Sequence, residues 1–587
     1  MSPQTPITTL SPELHTQLKE HTEGLLNDII NTNLQTRFVQ EFDGLRDFRD
    51  AIELRKDRSA HEAWECYRDS VPLTNYATYE PFISRFLAEP CREERVKDLL
   101  SPGLPFFLAK SSGTSGKAAK LFPKYHRLVG APLSRYPVFP AKACHIMSMA
   151  YSRVIDVVRN EGESAKVIVT TSSSGRLRMQ HDLGTEKDPE IIKTTLPNIT
   201  SPIAVGHIRH YRSYLLMHAL FALAEEQLTF FYATYSTLFL DLIMFMEEEW
   251  SMLLDSIENG TIPDLEDTHH VREYLEPKLL PNPSRAQKLR KIGESRADPG
   301  WLSRIWPELQ QVVCIVTGLF ATTLPKIRHY LGPKVLINSR SMGAREGYIG
   351  ESYSFTDLNL FKLVTKEFTE YLDITKDPSP ANLVPAWDLE TGRRYEVFLT
   401  TRDGVWRYRL EDIIEVAGFD PGDGMPLLRY IERLKCAVLP DDVSLTETQV
   451  VEGLLAGENS LGKVKEFTVV IDERTSPRRL GYFVELQDAL SESVYLRPDA
   501  HLALHDVRDG LRRTNDNVDL NISKKTIGEP TIRVLKPGTF SEYRQWRLRI
   551  ARTAAGQTKV PVLVTDEATK AWLKERVVHE LLCPAED

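Results

Sequence analysis

The sequence predicts an α/β protein with a large N-terminal domain of mixed and parallel sheets plus a β-barrel-like part, and a small α+β C-terminal domain on a hinge. Residues 312–316 and 334–337 are β-type runs that enclose a helical segment at 324–330. Such a strand–helix–strand unit favours a parallel sheet. Short strands separated by turn residues between 395 and 416 predict an antiparallel meander.

Composition and charge are those of an ordinary globular chain of 587 residues, 42% hydrophobic and 26% charged. The net charge of −9 gives no basic balance for nucleic acid. The six cysteines form no C-x-x-C pair, which favours reduced, buried thiols. The N-terminus lacks a basic, apolar leader, and the longest apolar stretch, near 237–246, contains Asp241. We therefore expect a cytoplasmic monomer or weak homodimer with neither nucleic acid nor membrane as partner.

Helical spacing dominates the first 70 residues. Apolar residues on shared helix faces predict two helices there: Leu14, Leu18 and Leu25-Leu26 for one, and Phe38, Phe42 and Leu45 for the other. Residues 71–73 end this region, and Tyr76, Tyr79 and Phe82 begin another helix.

The middle of the chain alternates between strands and helices. Residues 167–169 predict a strand followed by a turn at 170–175. Buried helices are predicted at 214–226 and 237–254. The basic stretch 285–296 is interpreted as a solvated segment or loop.

The last third predicts the meander and a separate small domain. The meander strands are 395–400, 405–409 and 413–416, with turns at 403–404 and at Gly418. Beyond a turn cluster at 421–424, we expect a boundary near Arg433 that divides the chain into a large domain, 1–432, and a small mobile domain, 433–587. In the small domain the expected strands are 467–471 and 480–485, and the expected helices are 447–456 and 502–512.

One loop concentrates hydroxyls, glycines and lysines after the apolar run 104–109: Ser111, Ser112, Gly113, Thr114, Ser115, Gly116, Lys117, Ala118, Ala119 and Lys120. Glycines let backbone N–H groups approach an anion, hydroxyls donate hydrogen bonds, and lysines supply charge. A phosphate-binding loop is therefore predicted. The spacing differs from G-x-x-x-x-G-K-[ST], which disfavours a P-loop NTPase. A flexible Ser/Gly linker is the alternative.

Further motifs follow this loop in order. They are 316–318 with Thr317-Gly318, 341–350 with Met342, Gly343, Ala344, Arg345 and Glu346, 404–413 with Asp412, and 556–561 with Lys559. Together with 71–83 and 306–307, the ordered set resembles the adenylate-forming superfamily, and within it the auxin-responsive acyl-acid amido synthetases. Because that branch also has microbial and fungal members, we expect the chain to be one of these.

The resemblance implies a role for each motif. Residues 111–117 and Lys120 would surround the phosphates of ATP, and Glu346 would hold Mg²⁺ beside them. Asp412 would accept both ribose hydroxyls, a task suited to a carboxylate. Arg433 lies at the expected hinge, and Lys559 matches the lysine that moves in over the nucleotide for adenylation. Thr317, Gly318, Met342, Gly343 and Ala344 complete the nucleotide site.

Several positions depart from the family's pattern. Ala119 stands in place of a frequent loop proline, Ala344 in place of a small hydroxyl residue, and Ser444-Leu445 in place of a basic–hydroxyl pair just after the hinge. Met342 stands in place of an aromatic residue, Arg345 in place of a hydroxyl residue near the α-phosphate, and Glu411 in place of a glycine. Two hypotheses follow for Arg345 and Glu411: they pair with each other, or they reshape the site for an altered ligand. The alternative is drift in a protein that no longer adenylates.

The implied activity is an ATP- and Mg²⁺-dependent ligase that activates a small carboxylic acid and transfers it to an amine, that of an amino acid. A thiol or other acceptor, or a degenerate nucleotide- or acyl-binding protein, are the alternatives. Family analogy places the acyl pocket at helices 211–218 and 232–237 and at a strand–turn, 170–176. Arg176 or Arg178 is a candidate for contact with a substrate carboxylate.

Overall fold

The computed structural model describes residues 5–55, 57–111, 120–125, 142–160, 162–294, 298–434, 437–438, 443–474, 476–487, 496–551 and 558–582. The strands are β1 (Cys91–Arg92), β2 (Phe107–Lys110), β3 (Leu121–Lys124), β4 (Lys142–His145), β5 (Arg153–Val158), β6 (Ala165–Thr170), β7 (Leu228–Tyr235), β8 (Gln311–Ile315), β9 (Leu336–Asn338), β10 (Ser341–Gly343), β11 (Tyr348–Ser352), β12 (Phe361–Leu363), β13 (Phe368–Asp373), β14 (Leu383–Pro385), β15 (Arg394–Thr400), β16 (Tyr408–Phe419), β17 (Pro426–Arg433), β18 (Ala437–Val438), β19 (Ser444–Leu445), β20 (Val464–Asp472), β21 (Arg479–Leu486), β22 (Gly528–Leu535) and β23 (Val577–Leu581).

The α-helices are α1 (Pro12–Asn33), α2 (Arg37–Glu41), α3 (Arg46–Glu53), α4 (Ala60–Ser70), α5 (Tyr76–Ile83), α6 (Glu93–Val96), α7 (Ser172–Gln180), α8 (Asp188–Ile191), α9 (Tyr211–Ala224), α10 (Ser236–Glu248), α11 (Trp250–Asn259), α12 (Arg272–Leu275), α13 (Pro283–Ile292), α14 (Trp301–Ile305), α15 (Leu324–Leu331), α16 (Glu447–Ala456), α17 (Glu458–Leu461), α18 (Ala503–Thr514), α19 (Asp516–Ser523), α20 (Thr539–Ala551) and α21 (Glu567–Lys574). Among the described residues, none of these helices combines the length and apolarity needed to cross a membrane.

A parallel sheet of β4, β7, β8 and β9 confirms the strand–helix–strand prediction. α15 connects β8 to β9, and these two strands pair with Gln311 opposite Leu336. The predominantly apolar helices α9 and α10 pack with this sheet in one core that also holds Trp301 and Trp306. β8 is apolar after Gln311 and mostly buried, as expected for a strand inside a parallel sheet, whereas β4 begins with the exposed Lys142.

A five-stranded sheet of order β1-β5-β6-β2-β3 packs with the N-terminal helices in a second core. α1 begins at Ser11, whose hydroxyl accepts a hydrogen bond from the Leu14 N–H, which is an ordinary N-cap. β2 and β3 are antiparallel neighbours, with Lys110 opposite Leu121, so Ser111 and Lys120 at the two ends of the predicted phosphate loop lie next to each other.

An eight-stranded antiparallel sheet, ordered β10-β11-β12-β17-β16-β15-β13-β14, occupies the region predicted to be β-barrel-like. The strands predicted at 405–409 and 413–416 are wrong as separate elements, since β16 runs from 408 to 419 with two register shifts. Gly418 lies inside β16 and not in a turn. A Cβ there would come 2.7 Å from the Ile7 carbonyl oxygen, so the N-terminal segment pairs closely with this strand.

The residues after 443 form a four-stranded sheet, β20-β21-β22-β23, with α16 and α18 in a core of their own. α16 has the predicted bounds, 447–456, and Thr446 and Gln449 form its capping box. The predicted strands 467–471 and 480–485 lie within β20 and β21.

Three further predictions are wrong in the middle of the chain. Residues 172–175 begin α7 because the Thr171 hydroxyl caps its N-terminus, so this segment is no turn. The helix predicted over 237–254 is two helices that meet at Glu249, whose carboxylate binds Arg212 at 2.7 Å. Residues 283–292 form α13, in which the buried Arg285 donates to two backbone carbonyls, so this segment is no loop.

Candidate functional site

A cavity of about 870 Å³ lies where the parallel sheet, the eight-stranded sheet and the segment around Lys559 converge. It is lined by these sequence-predicted site residues: Ser111, Lys120, Thr317, Gly318, Met342, Gly343, Ala344, Arg345, Glu346, Asp412, Arg433 and Lys559. The remaining ones, Ser112, Gly113, Thr114, Ser115, Gly116 and Lys117, lie outside the described residues. Segments separated by hundreds of residues therefore contribute to one cavity.

The base of the predicted phosphate loop is closed by two hydrogen bonds. The Ser111 N–H donates to the Lys120 carbonyl, and the Lys120 N–H donates to the Ser111 hydroxyl, both at 2.8 Å. The Lys120 ammonium lies 5.5 Å from the centroid of the Tyr76 ring. These contacts fix both ends of the loop at the cavity wall.

Asp412 and Arg433 face each other across β16 and β17. The Arg433 Nε donates to the Asp412 Oδ1 at 2.9 Å, and the side chain of Asp412 is 14% exposed. Burial raises the pKa of Asp412, and the Arg433 guanidinium opposes this rise. Because the Arg433 Nε–H is bound to Oδ1 of Asp412, the other carboxylate oxygen can accept a hydrogen bond from a ligand.

Thr317 and Gly318 lie just after β8, where the chain enters a 3₁₀ helix, Gly318–Thr323. Gly318 has a φ of 58°, in the left-handed region that favours glycine. A Cβ at this position would come 3.2 Å from the Tyr430 ring and 3.6 Å from a Glu447 carboxylate oxygen. This turn therefore brings β8, β17 and α16 together beside the Asp412–Arg433 pair.

Glu346 lies between two strands of the eight-stranded sheet and contributes its carboxylate to the cavity. Its carbonyl accepts a hydrogen bond from the Lys124 Nζ at 3.0 Å, and the same ammonium binds Asp403 at 3.0 Å. Burial and the nearby Glu346 carboxylate, which accepts a hydrogen bond from the Tyr408 phenol, raise the pKa of Tyr408.

The donor set around Glu346 fits magnesium better than a metal held by protein alone. Within the described part of the chain, no three His, Cys, Asp or Glu side chains cluster as metal ligands. Mg²⁺ commonly uses one or two carboxylates and completes its shell with waters and substrate phosphates. Glu346, beside a predicted phosphate loop, matches that arrangement.

Lys559 reaches the cavity from the C-terminal segment. Burial, together with the neighbouring Arg345, lowers the pKa of Lys559 to about 8, while Glu447 opposes the shift. At neutral pH the ammonium is therefore still charged, and it is poised to gain from an anionic ligand.

Sequence patterns of one family match the chain in order. Residues 12–336 match the GH3 family N-terminal domain, residues 361–433 the GH3 family central domain, and residues 448–568 the GH3 family C-terminal domain. The chain belongs to the GH3 family. The resemblance drawn from the ordered motifs is thereby confirmed.

Known GH3 proteins resemble the chain along nearly its whole length. It is 23% identical to the indole-3-acetic acid-amido synthetase GH3.15 of Arabidopsis thaliana, over 98% of this chain and 95% of the relative. It is 25% identical to the jasmonoyl–L-amino acid synthetase GH3.5 of Oryza sativa subsp. japonica, over 93% of this chain and 92% of the relative. The solved structure of GH3.15 acyl acid amido synthetase shares the fold, with a TM-score of 0.75 at 21% identity over 99% of this chain and 98% of that one.

The departures from the GH3 pattern have distinct positions. Met342 is buried in the core of the eight-stranded sheet and also lines the cavity, as does Arg345. Glu411 is exposed and outside the cavity lining, and its φ of 66° lies in the left-handed region. Glycine in the family's pattern suits this backbone conformation. The pairing of Arg345 with Glu411 stays a prediction.

The acyl-pocket predictions are partly wrong. Residues 211–218 are in α9, within the core of the parallel sheet, and do not line the cavity. Residues 232–235 do line it but as the end of β7, because the aromatic run from Phe230 fits the centre of a sheet better than a helix. From 170–176, the cavity is lined by α7 residues, including Arg176.

Arg178 has a structural role, so its predicted contact with a substrate carboxylate is wrong. Its Nε and Nη2 donate to the Met149 carbonyl, and its Nη1 binds Asp188 at 2.8 Å. The side chain is fully buried in this arrangement. All three of its side-chain nitrogens therefore have partners within the protein.

Sequence reasoning assigned no role to several cavity residues: Tyr348, Lys366, Tyr430 and Glu447. Tyr348 lies within the motif at 341–350, whereas the other three belong to no motif with recognisable spacing. Tyr430 and Arg433 are three positions apart in β17, so strict alternation would put their side chains on opposite faces. The pairing of β16 with β17 has a register shift between Tyr430 and Glu432, and both Tyr430 and Arg433 line the cavity.

Proposed function

We propose that this GH3 protein is an ATP- and Mg²⁺-dependent ligase that activates a small carboxylic acid as its acyl-adenylate and conjugates it to an amine, that of an amino acid. The observation that carries the proposal is the position of Lys559, which lies half-buried in the wall of the cavity that holds the Asp412–Arg433 pair. A lysine brought from the C-terminal segment to a predicted nucleotide site is what adenylation needs. The names of the GH3 relatives, which are amido synthetases, support the same reaction.

Each site residue has a defined role in this proposal. Asp412 accepts the ribose hydroxyls, while Arg433 holds its carboxylate in place. Residues 111–117 and Lys120 would bind the phosphates, and Glu346 would hold a magnesium ion that offsets their charge. Thr317, Gly318, Met342, Gly343 and Ala344 surround the base and sugar.

The chemistry requires cations where negative charge accumulates. The substrate carboxylate attacks the α-phosphorus of ATP, a new P–O bond forms, and pyrophosphate leaves with the electrons of the broken bond. Lys559, Lys120 and Arg345 stabilise this charge. The amine then attacks the acyl carbonyl, loses a proton, and expels AMP to leave an amide.

Two domains, 1–432 and 433–587, would serve the two half-reactions, with a hinge near Arg433. The observed arrangement, with Lys559 in the cavity, corresponds to adenylation. Movement of the small domain would withdraw Lys559 and admit the acceptor while water is kept from the adenylate.

Product analysis distinguishes the acceptors. The intact protein is incubated with ATP, Mg²⁺, a panel of carboxylic acids and either amino acids or coenzyme A, and products are identified by mass spectrometry. An acyl–amino acid amide supports the proposal. A thioester as the sole conjugate would replace the amine by a thiol, and the absence of AMP formation with every acid would contradict the ligase assignment.

A further inference from the structure

The cavity has a basic end around Tyr348, formed by Arg176, Arg340 and Lys366. The Lys366 Nζ lies 5.3 Å from the Tyr348 ring centroid, and the Arg340 guanidinium carbon lies 5.4 Å from that of Tyr232. Burial raises the pKa of the Tyr348 phenol, whereas Ser341, Arg340 and Arg176 act against that rise. Three cations from α7, the loop before β10 and the loop before β13 therefore converge on one aromatic side chain.

Arg176 has no counter-ion of its own. No hydrogen bond or ion pair joins its guanidinium to any of the residues that the structure describes. Burial lowers the pKa of Arg176, with Tyr348 and Asp403 among the groups that oppose the shift. Arg176 is half-buried in the wall of the cavity, and a partly desolvated cation without a counter-ion favours an anionic ligand beside it.

The nearby carboxylates do not supply the missing charge. Asp403 is bound by the Lys124 ammonium at 3.0 Å and accepts the Tyr125 N–H at 2.7 Å. Burial, followed by the neighbouring Asp403, raises the pKa of Glu367 to about 8, so Glu367 is largely protonated at neutral pH.

Lys366 adds a second cation with no ion pair to a described residue, and it is only half-buried. Among the described residues of this end, Glu351 is the carboxylate that remains, and it lies opposite Ser341 in the β10–β11 pair. One carboxylate against three cations leaves the basic end positive.

The surroundings of this end differ from those of Lys559. Gly175, next to Arg176, packs on Phe107, at the start of β2, and the phosphate loop begins beyond Lys110. Three strand residues span about 10 Å. The strongest charged or polar neighbours also differ: Arg345, Glu447, Arg433 and Asp412 for Lys559, but Tyr348, Asp403, Tyr232 and Glu367 for Arg176.

We propose that the basic end binds a second carboxylate of the acyl substrate, so that the preferred acids are dicarboxylic. The reacting carboxylate lies toward Lys559 and Lys120, and the second one pairs with Arg176 and is supported by Lys366. This inference rests on the proposed function, since it names the class of acid that the same site activates.

The test is isothermal titration calorimetry on the intact protein with matched pairs, hexanoate against adipate and benzoate against isophthalate or terephthalate. At least one diacid binds about tenfold or more tightly than its monoacid, as expected for a hydrogen-bonded charge pair. R176Q abolishes this preference and leaves monoacid binding within about threefold, and K366Q weakens it to a smaller extent.

Two results would overturn the inference: no diacid is preferred, or R176Q weakens monoacid and diacid equally, which would make Arg176 a ligand of the reacting carboxylate. R153Q, which removes an exposed arginine paired with Glu89, is the control. Unchanged thermal unfolding of R176Q excludes misfolding. Because binding needs neither ATP nor turnover, diacid preference without catalysis counts against the proposed function alone, and monoacid ligation without that preference counts against this inference alone.

Discussion

The Arg433 Nε donates a hydrogen bond to the Asp412 Oδ1 at 2.9 Å, and the two residues are direct cross-strand partners in β16 and β17. The pair lies at the end of the long β hairpin where the chain leaves the eight-stranded sheet for the C-terminal segment. A ligand held by Asp412 is thereby coupled to the position at which we propose the hinge.

Asp412→Asn weakens ATP use if the carboxylate binds the ribose. The amide keeps the shape but loses a charged acceptor, so KM for ATP rises roughly 10- to 100-fold, equivalent to about 1.5–3 kcal/mol. Steady-state kinetics measure this. Glu415→Gln is the matched control, since it removes a carboxylate from the same strand outside the cavity and leaves KM unchanged.

The pH dependence of adenylation reports Lys559. Its pKa is lowered to about 8 by burial and Arg345, so the ammonium is lost as pH rises through 8. The value of kcat/KM for ATP falls above that pH, because this ratio reports groups of the free enzyme. Lys559→Arg keeps its charge and removes the fall at high pH. A profile that declines identically in both proteins would contradict this role.

Arg544 ties α20 to distant parts of the chain. Its Nη1 lies 3.2 Å from Asp241 of α10, and its Nη2 lies 2.6 Å from Glu466 of β20, with the guanidinium almost fully buried. Arg544→Met leaves two carboxylates without their cation and lowers the free energy of unfolding by about 3 kcal/mol or more. Urea unfolding measures the loss.

Arg549→Met is the control for that variant, because Arg549 is on the same helix but 65% exposed. Its effect stays within about 0.5 kcal/mol, as for other surface pairs. Equal losses in the two variants would show that the buried contacts of Arg544 do not hold α20 in place. The contact of Arg544 with Asp241, which joins the two proposed domains, would have to break if the small domain moves.

A substitution of Glu411 tests whether the left-handed backbone conformation at this position suits glycine better than glutamate. Its φ of 66° disfavours a side chain by about 1 kcal/mol, which offsets the entropy cost of glycine. Glu411→Gly is therefore neutral or stabilising in thermal unfolding, whereas Glu415→Gly, in extended conformation on β16, destabilises by about 1 kcal/mol. A comparable loss in both variants would rule out backbone strain at Glu411.

Local periodicity predicted the elements whose fold depends on their own residues. α16 and the β8–α15–β9 unit follow from helical spacing and β-branched runs. Prediction failed where distant contacts decide: β7 carries aromatic residues into the centre of a sheet, and the close approach of Ile7 keeps Gly418 within β16. Arg285 and Arg178 look solvated in the sequence, yet both satisfy buried carbonyls.

The candidate site, too, could be predicted from the sequence only in part. The order of the motifs predicted that Ser111, Lys120, Glu346, Asp412 and Lys559 belong to one site, and all five line the cavity. Arg176 is a sequence-based candidate for contact with a substrate carboxylate, but the basic end as a whole could not be predicted, because Lys366 belongs to no motif and reaches this end of the cavity only in the folded chain.

Acid-dependent exchange of labelled pyrophosphate into ATP tests the central claim most directly, because it requires adenylation and no acceptor. A panel of aliphatic, aromatic, keto and dicarboxylic acids is offered to the wild-type protein and to the double variant Asp412→Ala, Lys120→Ala. We predict exchange that depends on an acid and disappears in the double variant. Exchange that survives both substitutions would contradict the site assignment, and no exchange with any acid, together with no ATP binding by calorimetry, would contradict the activity.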